Sequence, residues 1–176
     1  MDADADGNSM ISVDTGVLAL ALNRWAKEHA RAASRLEALV NGDAPWAVTW
    51  PALHELVERV VHRHSVARPL TPADAAGFID QLFRSPSLVA LGPTPRHADV
   101  MREVLVGLGA GSLPAGFDSA VILREHGVRE LLTTDAGMRR FTFLMVIDPF
   151  AGEGGRPATR PGRRYRKLSL RAPRER

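Results

Sequence analysis

Apolar residues along the chain alternate between short continuous runs and longer stretches at helical spacing. Residues 10–13 form a short buried run, read as a first strand, and TGVLALAL at 15–22 follows as an apolar helix. In EHARAASRLEALV, 28–40, Ala32, Leu36, Leu39 and Val40 recur on one side, the period of an amphipathic helix that Asn41-Gly42-Asp43 stops. WAVTW, 46–50, reads as a second strand. Pro51 then opens a helix, a favoured first-turn position, with Leu53, Leu56, Val57, Val60 and Val61 turned inward. After a loop at 65–70, Thr71-Pro72 begins a helix to about residue 83, with Phe78, Ile79, Leu82 and Phe83 apolar. SLVAL, 87–91, is a third strand, and Pro95 opens a helix towards residue 108. A Gly-rich connection at 107–116 leads to a helix over 117–126, ended by Gly127. ELLTT, 130–134, is a fourth strand followed by Asp135, and LMVI, 144–147, a fifth, closed by Asp148-Pro149.

Strands that alternate with helices pair in parallel and are covered on both faces. The predicted fold is therefore α/β, a three-layer α/β/α sandwich around a short parallel central sheet. Right-handed crossovers place every strand's carboxyl end on one edge.

That edge is where ligands bind in an open α/β sheet, and acids collect there. Asp14 follows the first strand and Asp135 the fourth. Asp118 lies in the first turn of the helix that feeds the fourth strand, and Glu55 one turn into the helix after the second. Clustered carboxylates raise each other's pKa, so such a set is tolerated where a hard cation neutralises it. All-oxygen ligands favour Mg²⁺ or Mn²⁺, ions that clamp phosphoryl oxygens and lower the pKa of an attacking water. Taken singly, each acid has a plainer reading. Asp14 and Asp118 read as helix caps, Asp135 as a turn residue and Glu55 as a surface acid. Their convergence on one edge is what favours the metal site.

Composition narrows the class further. The 176 residues fit one domain with a core that stands without staples. There is no Cys, which excludes disulfides and thiolate metal sites. The acidic start MDADADGNS has no basic leader pattern, and no apolar run reaches membrane-spanning length. The expectation is a soluble cytoplasmic protein with no membrane partner. The net charge of +3 hides a division: residues 156–176 hold nine Lys/Arg and one Glu, against fourteen basic and nineteen acidic residues in 1–155. The predicted organisation is a disordered 1–9, a folded domain over 10–150 and a basic, disordered tail over 151–176. Such a tail reads equally as an arm for nucleic acid and as a solvated extension.

Other motifs fail. His54-Glu55 begins like H-E-x-x-H, but Glu58 stands where the second His belongs. GLGAGS, 107–112, follows a helix and lacks the Gly-Lys-Ser/Thr of a P-loop. A receiver domain needs a Lys after a late strand, and the only two Lys are Lys27 and Lys167.

The segments ISVDTGVLALAL, WAVTWPALHELVERVV, LPAGFDSAVILREHGV and LLTTDAGMRRF, in that order and spacing, resemble PIN-domain ribonucleases. The nearest likeness is to the VapC-type toxins of bacterial toxin–antitoxin pairs, and it spans about residues 10–150. The resemblance implies a PIN-like fold and Mg²⁺- or Mn²⁺-dependent endonucleolytic cleavage of RNA phosphodiesters. It assigns Asp14, Glu55, Asp118 and Asp135 as metal-binding and catalytic acids, with Thr15 and Thr134 as supporting hydroxyls. It also implies a homodimer held inactive by a cognate antitoxin. Many relatives carry a further acid two residues after the Asp135 position, where this chain has Gly137.

An acid-lined crevice repels RNA, so basic residues on its rim must supply phosphate contacts. Arg139 and Arg140 are the first candidates, Arg24 and Lys27 the next. A competing reading is a catalytically weak PIN-like module that binds RNA or protein through its basic tail. A small-molecule phosphohydrolase is a third, with no pocket motif behind it.

Overall fold

The computed structural model describes residues 10–62 and 68–151. Five strands, β1 Ile11–Val13, β2 Trp46–Thr49, β3 Leu88–Leu91, β4 Glu130–Leu132 and β5 Met145–Ile147, form one sheet in the order β3-β2-β1-β4-β5. Every pairing is parallel. Helices α1 Thr15–Leu22, α2 His29–Val40, α3 Trp50–Val61, α4 Pro72–Phe83, α5 His97–Leu108 and α6 Phe117–Glu125 connect them, and a 3-10 turn, Ala136–Arg140, joins β4 to β5.

Successive strand residues face opposite sides of a sheet, and each side here has its own core. Val13, Trp46, Val48 and Leu132 pack with α1 to α4 through residues such as Leu18, Leu36, Leu53 and Phe78. Ala47 and Leu131 pack instead with Val100 and Val104 of α5, Val121 and Leu123 of α6, and Met138 of the 3-10 turn. This is the three-layer α/β/α sandwich that the alternation predicts.

Local signals set the element ends. At the start of α4, Thr71 Oγ1 accepts the Asp74 N–H at 3.1 Å while Asp74 Oδ2 accepts the Thr71 N–H at 3.2 Å, a capping box with Pro72 in the first turn. At the end of α6, Gly127 takes φ 68°, and the Val128 N–H reaches the Leu123 carbonyl at 2.9 Å.

Several boundaries differ from the sequence reading, among them the start of α5, which begins at His97 and leaves Pro95 outside the helix. Thr49 caps α3, its Oγ1 accepting the Ala52 N–H at 3.3 Å, so Trp50 is the first helical residue and not the last strand residue. β4 stops at Leu132, before Thr133 and Thr134. The segment after Asp135 is a 3-10 turn that no periodicity announces. On α3, Leu53, Leu56 and Val60 are buried, whereas Val57 and Val61 are only partly so. The predicted tail 1–9, residues 152–176 of the predicted tail 151–176, and 65–67 of the predicted loop lie outside the described residues. No described helix is long and apolar enough to cross a membrane.

Candidate active site

β1 delivers Asp14 to the carboxyl edge of the sheet. The Asp14 N–H bonds the Leu132 carbonyl at 3.0 Å, one step beyond the Val13–Leu132 pair, and its own carbonyl receives the N–H groups of Val17 and Leu18. Asp14 occupies the cap position of α1, but its side chain makes no capping hydrogen bond to the first turn. Its Oδ2 instead accepts a 2.6 Å hydrogen bond from the hydroxyl of buried Thr133. Burial pushes the Asp14 carboxyl above the usual carboxylate range. The Thr133 hydroxyl and the Thr15 backbone pull it back, and the carboxylates of Glu55 and Asp135 push it up further.

Thr15, the first residue of α1, reaches across to α3. Its hydroxyl lies 3.1 Å from both the Ala52 carbonyl and Glu55 Oε2, which fixes the acid of α3 towards the end of β1. The other oxygen, Glu55 Oε1, pairs with Arg59 one turn on at 2.6 Å, in a half-exposed setting. Asp135 serves the turn as well as the edge. Its backbone N–H bonds Thr133 Oγ1 at 2.9 Å, and its Oδ1 accepts the Gly137 N–H at 2.7 Å, starting the 3-10 turn. A Cβ at position 137 would lie 2.9 Å from that same Oδ1.

Asp118 is not the cap of α6; Gly116, at φ 72°, is. Asp118 is exposed in the first turn, where the helix dipole favours a negative charge. The next residue, Ser119, is buried and shares a 2.7 Å hydrogen bond with Thr49 at the end of β2, pinning the start of α6 to the carboxyl edge.

The donors at this edge are carboxylate and hydroxyl oxygens, the chemistry of a hard divalent cation. Among the described residues, no group of three or more His, Asp or Glu is arranged as it stands to hold one. Asp14 is half-buried and held by Thr133, while Glu55 and Asp118 carry side chains open to solvent.

The remaining predicted residues divide. Thr134 is exposed, and its Oγ1 occupies the space where a Cβ on Gly16 would come within 2.7 Å. Arg139 is exposed. Arg140 donates to the Ser112 carbonyl at 2.6 Å and so ties the Gly-rich connection to the 3-10 turn. Arg24 and Lys27 follow the far end of α1, about 12 Å along the helix axis from its start. They therefore do not line the rim of the crevice. Thr133, which buttresses both Asp14 and Asp135, was not among the residues the motif singles out.

No protein-family model matches the chain. Curated relatives do. The ribonuclease VapC24 of Mycobacterium tuberculosis is 36% identical over 150 residues, covering 82% of this chain and 100% of the relative. The chain belongs to the VapC ribonucleases. A second member, VapC43 of the same species, is 30% identical over 145 residues, covering 82% of this chain and 98% of its own. Two solved structures share the PIN fold. Mycobacterium tuberculosis VapC20, described as a toxin that cleaves the sarcin–ricin loop, superposes with a TM-score of 0.53 at 20% identity over 72% of this chain and 90% of its own. VapBC2 of Rickettsia felis, bound to a DNA fragment from its promoter, gives 0.56 at 15% identity over 78% and 97%.

Proposed function

We propose that the protein is a Mg²⁺- or Mn²⁺-dependent endoribonuclease, the toxin of a toxin–antitoxin pair, acting through Asp14, Glu55, Asp118 and Asp135. The observation that carries the site assignment is the half-buried Asp14 carboxyl, held by the Thr133 hydroxyl and facing the acids of two other elements. A protein gains no stability from such a grouping, and family membership supplies the reason to keep it. A divalent ion bound there would neutralise the acids and polarise the phosphoryl oxygens of RNA.

The chain's own residues have distinct tasks in this reading. Thr133 holds Asp14 in one rotamer, and Thr15 holds Glu55 against the end of β1. Asp118 supplies a solvent-facing carboxylate at a helix start that Thr49 and Ser119 lock to the sheet edge. Asp135 has one oxygen committed to its turn, leaving the other for the site. Arg139 offers a phosphate contact from the turn that follows. A cognate antitoxin belongs to the same proposal, supported by family membership and by the VapBC complex among the fold neighbours, and so does a homodimer, which rests on the family resemblance alone.

The test is cleavage of labelled RNA by the purified full chain with Mg²⁺ or Mn²⁺ titrated against a chelator. Cleavage is expected to require the ion and to disappear in Asp14→Asn. Cutting by Asp14→Asn at the parent rate would end the site assignment, and undiminished cutting in chelator would end the metal dependence.

A further inference from the structure

The carboxyl edge carries a second constellation that the acids do not use. Trp50, directly after Thr49, is 43% exposed although three groups prop its ring. The Phe83 ring stacks on it at 5.9 Å between centroids and 28° between planes. The His54 ring, one helical turn on, lies 6.1 Å away at 43°. The backbone of Gly92, just past β3, comes so near that a Cβ there would be 3.3 Å from Trp50 Cδ1. Phe83 is itself 44% exposed, and exposed Arg84 follows it with no ion pair among the described residues. A large apolar ring that is immobilised yet left open loses hydrophobic stabilisation without gaining flexibility. That combination suits a flat apolar ligand attached to a charged backbone.

Position decides what the ligand is. The β1–β2 register, Ser12 opposite Ala47, brings Asp14 level with Thr49, so Trp50 starts α3 one strand away from that acid. His54 and Glu55 are neighbours on that helix, with His54 turned to the aromatic side and Glu55 to Thr15. We infer that Trp50 and Phe83 form a stacking step for an unpaired nucleobase of RNA beside the acidic crevice. The step engages a base next to the scissile phosphate. Stacking on an aromatic face tolerates any base and requires a single strand. The step therefore selects unpaired over duplex RNA. This inference rests on the ribonuclease reading.

The test uses the full chain carrying Asp14→Asn, so that RNA stays intact, and measures binding of a labelled single-stranded oligoribonucleotide and of the same sequence in a duplex. Trp50→Leu is expected to weaken single-strand binding by roughly 5- to 150-fold and to leave duplex binding unchanged, whereas Trp50→Phe keeps most of the affinity. Melting by circular dichroism confirms that each variant is folded. Equal single-strand affinity in the folded Leu variant overturns the proposal. So does a change of oligomeric state by sedimentation without loss of RNA binding, which would make the patch a subunit contact. If the Trp50 parent binds no RNA at all, the ribonuclease reading falls and this inference with it.

Discussion

The Thr133 hydroxyl donates a 2.6 Å hydrogen bond to Asp14 Oδ2 and accepts the Asp135 N–H at 2.9 Å, so one buried oxygen positions two acids from two strands. Thr133→Val keeps the shape and removes both bonds. Removing a buried partner leaves the other group unsatisfied, costing about 1–3 kcal/mol. The expected result is that loss in urea denaturation together with a fall in RNA cleavage of about 10- to 100-fold, typical of a residue that orients a site acid. Thr133→Ser should restore both. Thr134→Ala, which removes an exposed hydroxyl, should leave cleavage close to that of the parent.

Gly137 sets the conformation of Asp135. Its N–H holds Oδ1 at 2.7 Å, and a Cβ would stand 2.9 Å from the same atom. Any side chain there must displace the carboxylate. Gly137→Asp, which restores the acid many relatives carry, should therefore lower cleavage, not raise it. The helix-cap analogy puts the stability loss at about 0.5–2 kcal/mol. Cleavage rate and thermal melting check this; a variant faster than the parent would show that Asp135 can adopt a second productive position.

The sequence reveals the elements because each has a local cause. The run 46–49 is apolar and β-prone, Thr71 and Asp74 are spaced for a capping box, and Gly127 takes the left-handed turn after α6. The place of Asp14 at the carboxyl edge was legible because it follows a buried strand. Register was not. Adjacency to Asp135 points to Thr134, but the pairing of β1 with β4 sets Asp14 opposite Thr133, and nothing local in a parallel sheet announces which residues lie level. The Arg140 contact was hidden for a similar reason: its carbonyl partner, Ser112, is 28 residues away across a loop of no predictable shape. The end of β2 was misplaced by one residue because Trp50 is β-prone, and the Thr49 cap overrides that preference.

Glu125 is a structural acid. Its side chain has no exposed surface, its Oε2 accepts the Thr94 N–H at 2.6 Å, and its Oε1 meets His97 Nδ1. Burial pushes the carboxyl up, but the hydrogen bonds from Thr94 and the contact with His97 outweigh it and hold the pKa below the ordinary value. A depressed folded-state pKa gives stability that is present above the unfolded value, near 4.3, and lost as pH falls through the folded one. The parent should thus lose urea stability below about pH 4.3 more steeply than Glu125→Gln, which in turn should be the less stable at pH 7. Parallel pH profiles for the two proteins would contradict this.

Asp14 has the opposite sign. Its folded-state pKa is raised, chiefly by burial, so its protonated form contributes stability below the unfolded value, near 3.9, that is lost as pH rises through the folded one. At pH 7 in chelator the ionised carboxyl is therefore a burden on the fold, and Asp14→Asn should melt higher than the parent. The gap should close as the pH is lowered towards 3.9. Adding Mn²⁺ at about a hundred times its dissociation constant should stabilise the parent by about 2.7 kcal/mol and leave the Asn variant nearly unmoved, reversing the order of melting. A parent that melts higher than Asp14→Asn in chelator at neutral pH would mean that the acids at this edge stabilise the fold, and the case for a cation between them would lose its physical basis.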